Sequence, residues 1–500
     1  MGAVLAIDAG TTGVRAMVLD AAGAVRTRGY REFPQSFPQP GWVEHDPEDW
    51  WSALLAATQE ALAAAGRSAT DIDAIGITNQ RETTVLWDRV TMKAVHPAIV
   101  WQDRRTAPLC RTLVEEGWEP RIRERTGLVV DPYFSATKIA WLLEHVDGAR
   151  EQADDGRLAF GTVDSYLLTR LTGGAVHATD DTNASRTMLF DIHRRAWDQE
   201  LCEHLQIPTS LLPEVRPSCG RFGVTDPGAF LGIDAPISGI AGDQQASLFG
   251  HGCTSPGQTK NTYGTGSFLL MHTGDTPVAS PGGLLTTMAA STDGRPAYAL
   301  EGAIFVSGAA IQWLRDGLGI IHEASEVGPL AESVPDTDGV VFVPALAGLG
   351  APWWDPDARG TIVGITRGTT KAHIARATVE ALAYQTRDVV DLMRRDSGLD
   401  VPELRVDGGA SAMDLLLRLQ ADSLGVPVDR PAVLETTAVG AARLAGIGEG
   451  VWTESTFADD MIDGGARFEP ADTAAADAGY ARWRRAVERS LKWAGDHSEP

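Results

Sequence analysis

The sequence predicts an α/β protein of two related halves. Three observations predict it. Strand-like and helix-like runs alternate through most of the 500 residues, the pattern of α/β architecture. A glycine-threonine turn between two short apolar runs occurs in "VLAIDAGTTGVRAMVLD" (Val4–Asp20) and again in "KNTYGTGSFLLMHTG" (Lys260–Gly274), about 250 residues later, a coarse internal duplication. A third glycine motif, "LRVDGGASAMDLLLRLQADSLG" (Leu404–Gly425), reads as strand, turn and amphipathic helix.

Val4–Ile7 and Val14–Leu19 read as strands, with Gly10–Gly13 as the turn of a hairpin. A turn needs one or two glycines. It does not need the strand-end Asp8, the hydroxyls of Thr11 and Thr12, or the following Arg15. Two readings stand here: a hairpin with a turn-bonding Asp8, or a loop whose N–H groups cradle a phosphate beside a metal-binding carboxylate. The second glycine-threonine hairpin favours the cradle, because two such loops facing across a cleft can hold one chain of phosphates.

Further along, Trp51–Ala65 reads as an alanine-rich helix, and Ile72–Thr78 and Ala94–Trp101 as strands. Ser165–Leu171 reads as a helix stopped by Gly173-Gly174, and Gln244–Phe249 as a short helix after Gly242-Asp243. The glycine-rich stretch Gly250–Gly257 marks the division into domains 1–250 and 251–500. Val340–Trp354 is the most apolar run, but Pro344, Gly348, Gly350 and Pro352 break it, so it reads as a buried strand and loop and not a membrane span. Ser411 and Asp414 have capping-box spacing. An ordinary βα unit and a backbone approach to a nucleotide at Gly408-Gly409 both fit that motif. The last predicted helix carries Trp483 and Leu491 on its apolar side.

The net charge is -24, from 43 basic and 67 acidic residues. Such a surface argues against nucleic-acid partners and stable membrane binding. It also repels nucleotides, so a nucleotide site here needs aimed N–H groups, a positive side chain and a metal ion. Cys110, Cys202, Cys219 and Cys253 show no CxxC spacing; they read as reduced thiols of a cytoplasmic protein. No basic region precedes the first apolar run, so no signal peptide is expected. No Walker-type GxxxxGK[ST] and no strand-to-helix GxGxxG occurs.

Taken with the two hairpins and the Asp-Gly-Gly motif, further blocks carry a resemblance. They include "GITNQRETT" (Gly76–Thr84), "IVWQDRRT" (Ile99–Thr106), "DPYFSATK" (Asp131–Lys138), "GIAGDQQASLFG" and "EGAIFVSGAAIQWLRD". In this order they resemble the FGGY carbohydrate kinases of the actin/Hsp70/sugar-kinase superfamily, and most closely the members that phosphorylate glycerol. The resemblance implies two actin-like (ribonuclease H-like) domains, each with a mixed sheet flanked by helices, closing on a central cleft. It also implies transfer of the γ-phosphoryl of ATP to the 3-hydroxyl of glycerol with Mg2+, by a homo-oligomer, a dimer or tetramer. The alternatives are another polyol or ketose kinase of this family and an actin-like nucleotide switch.

Phosphoryl transfer is largely positioning and charge neutralisation. Asp8 and Asp243 are the candidate metal carboxylates. Thr11, Thr12, Gly13, Arg15 and, from the second hairpin, Thr265 are the candidate phosphate contacts. By resemblance, Gly308, Gln312, Gly409 and Met413 flank the nucleotide, Met413 standing where the family usually has asparagine. Asp243, at a helix start where the dipole favours the ionised form, is the candidate base; a plain helix N-cap is the competing reading. Arg81 and Glu82 are the candidate grip on neighbouring hydroxyls, against the commoner surface ion pair. Tyr133 and Gln244 join them by resemblance, with Trp101 and Phe268 as an apolar wall; as lone aromatics these would be ordinary core residues. Gly232-Ile233-Asp234 occupies the place where some relatives hold fructose 1,6-bisphosphate with an arginine, and no histidine lies between Ser218 and Asp243. A carboxylate there repels phosphate, so insensitivity to the bisphosphate and to histidine phosphorylation is expected.

Overall fold

The computed structural model describes residues 2–457 and 465–495. The expected domain ends at 1 and 500 lie outside the described residues. One sheet contains Ala3–Ala9 (β1), Gly13–Asp20 (β2), Val25–Glu32 (β3), Ile72–Asn79 (β4), Cys219–Val224 (β5) and Pro236–Gly242 (β6), ordered β5-β6-β4-β1-β2-β3. The other contains Thr259–Tyr263 (β7), Ser267–Gly274 (β8), Leu285–Met288 (β9), Tyr298–Ile304 (β10), Leu404–Gly408 (β11), Val428–Arg430 (β12) and Ala466–Phe468 (β13), ordered β9-β10-β8-β7-β11-β12-β13.

The duplication visible in the loops extends to the sheets. From β5 to β3 the pairings run antiparallel, parallel, parallel, antiparallel, antiparallel. From β13 to β10 they run in the same senses, and β9 adds one more antiparallel strand.

β1 is apolar at consecutive positions because both faces of its sheet are covered. Leu5 and Ile7 pack with Trp50, Leu54 and Leu167 of two helices, Pro47–Ala65 (α1) and Val163–Leu171 (α2). Val4 and Ala6 point the other way, onto Ala438, Ala442 and Ala445 of a helix from the second half of the chain, Thr436–Gly448. The helix Asp243–Gly250 (α3) joins the two sheets, placing Leu248 against Leu270 and Ala299 of the second. The other face of that sheet is covered by Lys371–Ser397 (α4) and Asp414–Leu424 (α5). With Thr436–Gly448 as α6, α3 and α6 lie between the sheets. Thr473–Ser490 (α7) docks through Trp483, which is fully buried and donates to Asp388 Oδ2 at 3.0 Å.

Local chemistry explains the element ends. Asp46 accepts from Glu48 N at 2.9 Å to start α1, Pro47 follows, and Gly66 ends it at φ 61°. Two expectations need correction. Within Ala94–Trp101 only Ala98–Ile99 forms a strand, paired with Glu44–His45; Ala94 makes an isolated bridge to Trp87, and Pro97 has no N–H to give a ladder. Ser411 and Asp414 form no capping box. Met413 occupies the N-cap position of α5 without a side-chain hydrogen bond, Ser411 Oγ donates back to Gly408 O at 2.7 Å, and the Asp414 carboxylate pairs with Arg430 at 2.9 Å.

Candidate active site

The two glycine-threonine loops share one design. Gly10 N donates to Gly13 O at 3.0 Å, and Gly264 N to Gly266 O at 2.8 Å. In the first loop every carbonyl from Gly10 to Thr12 is engaged, by Gln80 Nε2, Gln35 Nε2 and Phe33 N. In the second, Gly264 O and Thr265 O accept from the N–H groups of Gly308, Ser307 and Ala309. The N–H groups of Thr11, Thr12 and Thr265 have no protein acceptor among the described residues. Backbone donors held this way on tight turns make an anion concavity.

Thr265, Gly308, Gln312, Gly409 and Met413 line one cavity of about 790 Å3, together with Arg315. Gly408, at φ 84°, lets the Asp-Gly-Gly turn fold onto Tyr263, where a Cβ would meet Tyr263 O at 2.3 Å. Gly409 beside it has no atom within 4 Å of where a Cβ would stand, so that backbone faces open space. Met413 packs near Gly328, across the cavity wall.

Thr11, Thr12, Gly13 and Arg15 belong to a second group around Asp8. The register sets Asp8 between Arg15 and Thr78, and Arg15 Nη1 approaches Asp8 Oδ2 at 3.3 Å. Burial pushes the Asp8 carboxyl up to about 6; Arg15 opposes this, and the nearby Asp243 charge adds to it. Asp243 is the first residue of α3, and Gly242, not Asp243, is the N-cap. Burial raises the Asp243 carboxyl too, against Arg81 and Lys260, while its side chain keeps 31% of its surface exposed. Among the described residues no group of three or more His, Cys, Asp or Glu could hold a metal. Two close carboxylates suit magnesium, which takes one or two such ligands and fills its shell with water and phosphate oxygens.

Arg81 and Glu82 are no surface pair, since both are buried. Arg81 Nε faces Asp243 Oδ1 at 3.1 Å, and its Nη atoms hold Glu301 at 2.6 and 3.1 Å and Gln245 Oε1 at 3.2 Å. Glu82 sits at φ 61°, costly for a residue with a side chain. Its carbonyl is gripped by Ser135 Oγ at 3.0 Å and Lys138 Nζ at 3.3 Å, which holds it there. Glu82 Oε1 accepts from Arg186 Nε at 2.6 Å. Lys138 also binds Tyr133 O at 2.7 Å. The Tyr133 ring lies edge-on to Trp101 with centroids 5.7 Å apart. Trp101 Nε1 donates to Thr11 Oγ1 at 2.9 Å, tying this wall to the first loop. Gln244 Oε1 accepts from the buried Lys260, which burial lowers to about 8. Phe268 is half-buried with Leu248 and Leu270.

Arg186, Glu301 and Lys260 therefore join the cluster without having been singled out in the sequence. The available signal was a lone glutamate in the apolar strand "YALEGAIF", since a buried charge needs a partner.

The FGGY carbohydrate kinase N-terminal domain matches residues 3–250 and its C-terminal domain residues 259–449. The chain belongs to the FGGY family of carbohydrate kinases. Like other FGGY kinases it has the two-domain, actin-like architecture. It is 57% identical over 491 residues to a glycerol kinase of Halorhodospira halophila, covering 98% of this chain and 97% of that one. It is 55% identical to glycerol kinase 2 of Thermotoga maritima, covering 98% and 99%. The crystal structure of Plasmodium falciparum glycerol kinase with ADP superposes with TM-score 0.92 at 34% identity, covering 98% of each chain.

Proposed function

We propose that this FGGY kinase phosphorylates glycerol, moving the γ-phosphoryl group of ATP to the 3-hydroxyl and releasing sn-glycerol 3-phosphate and ADP. The observation that carries this reading is a buried polar cluster with unused capacity. Among the described residues, Glu82 Oε2, Asp243 Oδ2 and the Tyr133 hydroxyl have no protein partner. A small three-hydroxyl substrate supplies partners for such groups, with the Trp101 and Phe268 rings against its carbon edge. The names of the 54–57% identical relatives support the same substrate.

In this reading Asp243 takes the 3-hydroxyl proton as the O3–P bond forms and the bond from phosphorus to the β-phosphate oxygen breaks. Arg81 and Glu82 orient the other hydroxyls. Thr11, Thr12, Gly13, Arg15 and Thr265 hold the phosphates, and Gly308, Gln312, Gly409 and Met413 the nucleoside. Asp8 and Asp243 would hold magnesium, which when bound offsets the charge of the phosphates. Residues 1–250 then act as the polyol lobe and 251–500 as the nucleotide lobe, in a cytoplasmic homo-oligomer. The free thiols of all four cysteines support a reducing compartment, and sedimentation velocity reads the assembly.

Initial rates of ADP release with glycerol, erythritol, xylitol, ribitol, xylulose and gluconate test the substrate. Glycerol should give the highest kcat/KM. A higher value for a ketose or a longer polyol would overturn the reading.

A further inference from the structure

Glu301 belongs to the second sheet, yet its carboxylate ends among groups of the first half of the chain. It lies on β10 opposite Leu270 of β8 and Leu285 of β9. The two-residue period puts it on the face that also carries Ala299 and Ala303, with Phe268 opposite Ala303. No surface role explains it, for Glu301 is buried. Oε2 and Oε1 accept from Arg81 Nη1 at 2.6 Å and Nη2 at 3.1 Å, a bidentate fork. Oε1 also accepts from Arg186 Nη2 at 2.9 Å. Arg186 in turn holds Glu82 Oε1.

One carboxylate thus fixes both arginines, and through them both members of the Arg81-Glu82 grip. The fork sets the plane of Arg81. With Gln245 on Nη1 and Asp243 facing Nε, one Nη2 hydrogen is left for an incoming acceptor. Arg186 anchors Glu82 Oε1 and leaves Oε2 for an incoming donor. Without Glu301, Arg81 keeps Asp243 and Gln245 as partners but loses the contact that defines its plane.

We propose that Glu301 is a positioning residue for the polyol, a cross-sheet clamp that orients Arg81 and Glu82 without touching the substrate. This rests on the polyol-kinase reading above. The alternative is a buried ion cluster that only stabilises the fold.

Glu301→Gln, nearly unchanged in volume, is the first variant. The KM for glycerol should rise on the order of 10–100-fold, the effect of losing a charged hydrogen bond. The KM for ATP should stay within about threefold, because the nucleotide cavity is lined by other residues. Glu301→Asp, which keeps the charge but shortens the reach, should recover part of the glycerol KM. ADP binding, followed by calorimetry, should be unchanged in both. An unchanged glycerol KM, or equal losses for glycerol and ATP, would overturn the proposal. If Glu301→Gln does not fold, Glu301→Asp and Arg186→Lys carry the same comparison, and the same two results decide it. The wild-type polyol panel is run alongside. Should it name another polyol, the KM split is measured with that polyol, so the two readings fail separately.

Discussion

At the scale of single residues, the site depends on carboxylates held in unlike ways. Glu301 is drawn down to about 2, because two arginines outweigh its burial. Asp243 is raised instead, since burial outweighs Arg81 and Lys260. A proton acceptor needs the second condition and an anchor the first. Asp243→Asn should therefore lower kcat by about 10²–10⁴-fold while ADP binding and the unfolding midpoint hold; steady-state rates and a melting curve check this. Near-normal turnover would remove Asp243 from the base role. Arg81, Glu82 and Asp243 were singled out because the blocks that hold them resemble, in order, those of the FGGY kinases; alone, each fitted an ion pair or a helix cap equally well. Their partners were not. Glu301 and Arg186 are more than 100 positions from Arg81 and Glu82 in the chain, and only folding places them together.

At the scale of elements, the helices between the sheets matter most. α3 and α6 approach so closely that a Cβ on Gly440 would stand 1.9 Å from Ala246 O, and one on Gly250 2.1 Å from Thr436 O. Gly440→Ala gains up to about 1 kcal/mol of helix propensity, but it must force backbone apart, which costs typically about 1–3 kcal/mol or more. The net expectation is a loss of roughly 1–2 kcal/mol, read from urea unfolding at constant m-value; an equal or higher midpoint would show that the helices can separate without cost. The regular elements were readable from apolar period and glycine stops. The Ala94–Trp101 strand was overread, because a run of apolar residues does not reveal that Pro97 and the neighbouring chain leave it a strand of only two residues. That α6, late in the chain, covers the first sheet was not legible either. Its alanines fit any buried helix, and only the shape of the sheet selects them.

At the scale of the whole molecule, pH stability is a balance of buried groups. His45 is buried and neutral, accepting from Trp50 Nε1 at 3.3 Å, and burial lowers it to about 4. His177 is lowered likewise to about 4. Between about pH 6.5 and 4 the unfolded chain binds protons at these sites and the native chain does not. Each histidine thus costs stability as pH falls, by about 1.4 kcal/mol per unit. Asp180, raised to about 7 by burial beside Asp164, works the other way, since native protein takes up its proton first. Relative to wild type, His45→Gln should gain stability as pH drops from 6.5 to 4.5, seen in paired urea titrations; a constant difference would mean that His45 titrates normally. The central claim concerns what the two halves do together, and 31P NMR of the full-length protein with MgATP and glycerol tests it most directly. The account predicts one new phosphomonoester resonance, matching sn-glycerol 3-phosphate and growing in step with ADP. ADP accompanied by inorganic phosphate alone, at the same rate with and without glycerol, would contradict it and leave a nucleotide switch.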